Sequence, residues 1–163
     1  MASRLTHLDE EGRLQMVDVG GKDQTARLAR VRGEIRMEPE TARLIADNKV
    51  KKGSVLEAAR LAGIMAAKRT GDLIPLCHPL NLTSVSIDFA VGEDRVEVEA
   101  EARINDRTGV EMEALVAASM ALLTIYDMCK GIDRGMVISE VRLMEKRGGR
   151  NGKWVREGQQ DEQ

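Results

Sequence analysis

The stretch Thr108–Lys130 (TGVEMEALVAASMALLTIYDMCK) is the one around which the rest of the chain must arrange itself. Val110, Leu115, Ala118, Leu122 and Ile125 recur at helical spacing, and no glycine or proline interrupts them after Gly109. Thr108 and Glu111 stand at the spacing of a capping box, which predicts the helix start. Polar groups gather at the two ends, with Glu111 and Glu113 at the beginning and Asp127 and Lys130 at the finish. Sixteen positions separate Glu111 from Asp127, about 24 Å along a helix axis. A small-molecule site does not easily use both ends of one copy. If both ends work, two subunits are expected to meet there.

Before this helix the chain alternates between strand and helix signals. From Ala29, apolar Ala29, Val31, Ile35 and Met37 face one way and Arg30, Arg32, Glu34 and Arg36 the other, predicting a strand with a solvated charged face. Pro39 opens a short helix to about Ala46. Ser54 and Glu57 form a second capping box for a helix that Gly71 ends. Pro75 and Pro79 make Asp72–Leu80 (DLIPLCHPL) irregular. Val85–Val91 and Val96–Ala102 alternate about the turn Gly92-Glu93-Asp94 and predict a hairpin, and Met136–Met144 predicts a last strand. The fold class expected is α+β, a ferredoxin-like β-α-β-β-α-β sandwich with an extra helix in the first crossover. Its four-stranded antiparallel sheet carries the helices on one face, leaving the other solvated or covered by a partner. The expected division is a flexible arm over 1–15, one domain over 16–146 and a flexible glycine-rich, then polar tail over 147–163.

At 163 residues the chain is long enough for one cored domain, and with one Phe, one Tyr and one Trp its interior must be aliphatic. A net charge of -2 gives no general attraction to nucleic acid or acidic membranes, so any anion site must be local. The strands lack the aromatic platforms of a single-strand reader, which argues against nucleic acid. No secretory signal or apolar run of spanning length stands out. Cys77 and Cys129 form no CxxC pair, and reduced thiols in a cytoplasmic protein are expected.

Several residues could carry chemistry, each with a bland alternative. His78, between two prolines, is either hydrogen-bonded into a corner or presented for function. Asp127 and Lys130 are either a surface pair or, with Asp127 partly buried among Ile125, Tyr126, Met128 and Cys129, a proton-transfer pair. Glu111 reads as the capping-box partner and Glu113 as a charge near the helix start. Lys51 and Lys52, with Lys68 and Arg69, either bind phosphates or solvate a turn and a helix end. GGKDQT lacks P-loop spacing, and one histidine with scattered carboxylates shows no metal-ligand spacing.

Taken together, MVDVGGKDQTAR, KKGSV, AGIMAAKRTGDLIPLCHPL, TGVEMEAL, LTIYDMCK and MVISEVRLMEKRGG resemble the MoaC family, the cyclic pyranopterin monophosphate synthases of molybdenum cofactor biosynthesis. The resemblance runs from about Leu5 to Gly152. It implies a lyase that converts 3′,8-cyclo-7,8-dihydroguanosine triphosphate, supplied by a radical enzyme, into cyclic pyranopterin monophosphate and pyrophosphate. By motif it implies Asp127, Lys130 and Lys52 (beside Lys51) as catalytic residues. Leu76, Cys77, His78, Met112 and Glu113, with Glu111, Arg27 and Lys146, fall at substrate-contacting or pocket positions. It implies no required cofactor, leaves open a magnesium ion with the triphosphate, and implies a hexamer of three dimers with the site between subunits. A ferredoxin-like module that binds a small ligand without turning it over is the rival reading.

Overall fold

A computed structural model describes residues 6–157. The chain runs β1 (Thr25–Arg36), α1 (Pro39–Ala46), α2 (Val55–Lys68), α3 (Thr70–Leu73), β2 (Ser84–Val91), β3 (Arg95–Asp106), α4 (Glu111–Cys129), β4 (Val137–Arg147) and β5 (Trp154–Val155). The antiparallel sheet has the order β2-β3-β1-β4-β5. It is therefore α+β with the expected strand–helix order and helices against the sheet. The sheet has five strands rather than four, because Trp154 and Val155 pair with Lys146 and Glu145. Those two residues are too few to show a period of their own, and only their partner strand reveals them.

The core lies between the sheet and α2 and α4. Ala29, Val31 and Ile35 of β1 meet Val96, Val98, Ala100 and Ala102 of β3, all at or near zero exposure. Ala114, Ala117, Ala118, Ala121, Leu122 and Ile125 cover them from α4. Helices α2 and α4 approach closely at Gly63, where an added methyl would meet the side chain of Ile87 and lie 2.8 Å from the Ala117 carbonyl oxygen. Contrary to the sequence reading, α4 is long and apolar enough to span a membrane by length and composition. Its place over the sheet accounts for that apolarity, as for any core helix.

Three local expectations need correction. Helix α4 starts at Glu111, not Thr108; Val110 occupies its N-cap, and no side chain caps it. Ser54 does occupy the N-cap of α2, but its side chain makes no cap bond. Gly71 does not end a helix: α2 stops at Lys68, and Gly71 lies inside the single turn α3, after which the chain is irregular to Thr83. The charged face of β1 is also less solvated than alternation suggests. Arg30 pairs with Glu101 of β3 at 2.7 Å and Glu145 of β4 at 3.1 Å, and Glu34 and Glu145 are buried. The register sets opposite charges on adjacent strands side by side.

Within the arm, Leu8 and Leu14 bridge. The parts of the expected flexible ends at 1–5 and 158–163 lie outside the described residues.

Candidate active site

The sequence candidates fall into two groups at opposite ends of α4. At its C-terminal end, Asp127 Oδ1 accepts a 2.7 Å hydrogen bond from Lys130 Nζ, one helical turn on. Lys52 Nζ, from the turn between α1 and α2, donates to the Asp127 backbone carbonyl at 3.0 Å. Lys51 is exposed in the same turn. Asp127 is itself exposed, which overturns its expected partial burial: the helix turns this residue away from Ile125 and Cys129, which enter the core. The Lys130 hydrogen bond and charge, helped by Lys52, hold its carboxyl below the usual range, and the same pair raises Lys130. The pair is thus an ionised carboxylate clasped by an ammonium, with a second ammonium nearby.

At the N-terminal end, Glu111 does not act as a capping-box partner. Its Oε1 accepts from Lys146 Nζ at 2.6 Å, across to β4. The carboxylate occupies the space that a side chain on Gly109 would need, so the glycine lets Glu111 fold back. Glu113, two residues on, turns into the protein and is 3% exposed. Burial pushes its carboxyl up to about 7, and the Glu111 charge adds to the rise. The Cys77 thiol is raised by burial and by the charge of Glu113, which places the irregular Leu76-Cys77-His78 loop beside this helix start. Leu76, His78 and Met112 are half-buried there. His78 Nε2 lies 2.8 Å from the Val17 carbonyl oxygen and ties the loop to the segment before β1.

Next to Glu111 opens a cavity of about 560 Å³ lined by Lys22, Arg27, Arg107, Lys146 and Arg150, with Asp23 as its one acid. Arg27 is braced by the carbonyls of Asp106 and Arg107 at 3.0 and 3.1 Å. The wall is also shaped by Gly148 and Gly149, both at positive φ; a side chain on Gly149 would lie 2.6 Å from the Arg27 guanidinium. Five cations round one cavity in a protein of net charge -2 concentrate positive charge locally, where composition gives no general attraction for anions. The structure thus brings together Arg27, Lys146 and Glu111, with Glu113 and the Leu76–His78 loop alongside. It holds Lys52, Asp127 and Lys130 at the other end, about 24 Å away along α4.

Sequence reasoning missed Lys22, Arg107 and Arg150 as cavity residues. Each stands in a glycine-containing loop, and loop cations carry no period from which convergence could be read. Among the described residues no three His, Cys, Asp or Glu side chains converge as a metal site.

A model of the MoaC family matches residues 16–149. Proteins named cyclic pyranopterin monophosphate synthase are similar to nearly the whole chain. That of Desulforapulum autotrophicum is 60% identical over 152 residues, 92% of this chain and 93% of the relative. That of Novosphingobium aromaticivorans is 59% identical over 150 residues, 92% and 96% respectively. That of Streptomyces coelicolor is 54% identical over 153 residues, 94% and 90%.

Proposed function

The chain belongs to the MoaC family, and on that premise we propose where and how its chemistry takes place. It is a lyase of molybdenum cofactor biosynthesis, a cyclic pyranopterin monophosphate synthase acting on a nucleotide-derived substrate. The substrate in our reading is 3′,8-cyclo-7,8-dihydroguanosine triphosphate, delivered by a radical enzyme, and the second product is pyrophosphate. The observation that carries the site assignment is the division of functional groups between the ends of α4. Lys22, Arg27, Arg107, Lys146 and Arg150 with Glu111 lie at one end, and an aspartate with two lysines lies at the other.

One copy cannot apply both ends to one substrate. Two copies with α4 antiparallel across a two-fold axis can, because the N-terminal end of one then faces the C-terminal end of the other. Lys22, Arg27, Arg107, Lys146 and Arg150 would neutralise the triphosphate. Glu111 accepts hydrogen bonds from the guanine amino and amide groups, and Glu113, able to hold its proton near neutral pH, can donate or accept. His78, Cys77, Leu76 and Met112 form the wall beside them. From the partner, Asp127 and Lys130 exchange protons as the imidazole ring opens and the pterin closes, and Lys52 stabilises charge that develops on oxygen. The reading needs no cofactor; a magnesium ion, where present, travels with the triphosphate. We further propose a hexamer of three such dimers. The free Cys77 and Cys129 suit a reducing cytoplasm.

The test is turnover of the cyclic triphosphate by wild type, Lys52→Ala and Asp127→Ala, followed by pterin fluorescence after oxidation and by pyrophosphate release. Folded variants should lose about 100-fold or more in kcat. Wild-type rates in both variants would place the chemistry elsewhere.

A further inference from the structure

Asp133 lies in the loop that follows α4, is 8% exposed and has no part in the site as described so far. Its Oδ2 accepts hydrogen bonds from the Glu38 backbone N–H at 2.9 Å and the Thr41 hydroxyl at 3.0 Å. Its Oδ1 accepts from the Gly135 N–H at 3.2 Å. Glu38 is the N-cap of α1 and makes no side-chain cap of its own. Asp133 therefore caps α1 from a loop about 95 residues further along the chain. Thr41 is also buried, so the bond is screened from water.

The loop is itself fixed to the last turn of α4. The N–H groups of Ile132 and Asp133 donate to the Cys129 carbonyl at 2.9 and 3.0 Å, and the Tyr126 hydroxyl donates to the Arg134 carbonyl at 3.0 Å. At its other end α1 runs into the turn that carries Lys52. That turn is tightly set: Lys49 N–H donates to the Leu44 carbonyl at 2.9 Å, and Asn48 takes a φ of 53°. Lys52 Nζ then returns to the Asp127 carbonyl at 3.0 Å. The last turn of α4, Asp133, α1 and the Lys52 turn thus close a ring of contacts. Asp133 and Lys52 are its two links back to α4.

We propose that Asp133 is a positioning residue for this reaction: by capping α1 from the loop after α4, it holds Lys52 in register with Asp127 and Lys130. The proposal rests on the site assignment above. A misplacement near 1 Å at a catalytic group can cost up to about 100-fold in rate. The experiment is a cycle of Asp133→Ala, Lys52→Ala and the double variant, read as single turnovers with enzyme in excess so that slow rates remain measurable. Assays run well below the melting temperature of every variant. Asp133→Ala should slow wild type about tenfold and slow the Lys52→Ala enzyme by less than about twofold, since the misplaced group is already gone. Asp133→Asn, whose carbonyl can still accept from Glu38 and Thr41, should recover most of the rate.

The same loss in both backgrounds would make Asp133 merely structural and overturn the proposal, as would a wild-type rate for Asp133→Ala. Should Asp133→Ala fail to fold, Thr41→Val removes one of the two bonds to α1 without changing shape and carries the same cycle. An unimpaired Lys52→Ala would instead remove the site assignment. An impaired Lys52→Ala beside an additive Asp133 effect removes only the positioning role.

Discussion

Burial raises the Glu113 carboxyl to about 7, so near neutral pH it is shared between acid and anion. An ordinary glutamate titrates near 4.5, so between that pH and about 7 the folded protein binds a proton that the unfolded chain has lost. Stability from this group is therefore full below the unfolded value, falls as pH rises through the window and levels above it. The integrated penalty is roughly 3 kcal/mol. Glu113→Gln should melt higher than wild type at pH 8 and match it near pH 4.5, as thermal denaturation across that range would show. Parallel melting curves for the two proteins would mean that the carboxyl is not held protonated. Asp127 carries the opposite sign. Lys130 lowers its pKa, but its exposure leaves the pair little weight in stability.

At the scale of elements, the packing of α2 on α4 depends on missing side chains. Gly63 sits inside α2, where alanine would ordinarily favour the helix by about 1 kcal/mol. Here the added methyl meets Ile87 and the Ala117 carbonyl, and backbone cannot yield as a flexible side chain does. Gly63→Ala should lower the melting temperature by several degrees; an unchanged or higher value would mean that the helices do not approach so closely. The long helix and the β2–β3 hairpin were legible because 3.6-residue and two-residue periods are local properties. The N-cap of α4 was not. TGVE satisfies the capping-box spacing, but Glu111 is drawn instead to Lys146, which is distant in sequence. A charge-assisted bond of 2.6 Å outweighs a local cap that needs only spacing.

For the whole molecule, the proposed sharing of each site across a two-fold axis makes a specific demand on mixed assemblies. Asp127→Ala and Lys146→Ala each spoil every site in their own homodimers. A mixed dimer keeps one site with both halves intact. Refolding the two inactive variants together should then restore roughly a quarter of wild-type activity, because half the dimers are mixed and one site in each works. Co-refolded variants that stay inactive, while sedimentation shows them assembled, would mean that each subunit builds its site alone.

Periodicity, turn chemistry and motif order settle the α+β order, the core helix, the hairpin and the family from sequence, since each is written in neighbouring residues. Tertiary structure alone decides which charges are buried, exposed or brought together. It buries Glu113 and leaves Asp127 in water. It gathers Lys22, Arg27, Arg107, Lys146 and Arg150 from separate loops and strands round one cavity, and sets Asp133 on the start of α1. Burial and electrostatic potential are sums over neighbours in space, most of them far apart along the chain, and no local pattern carries those sums.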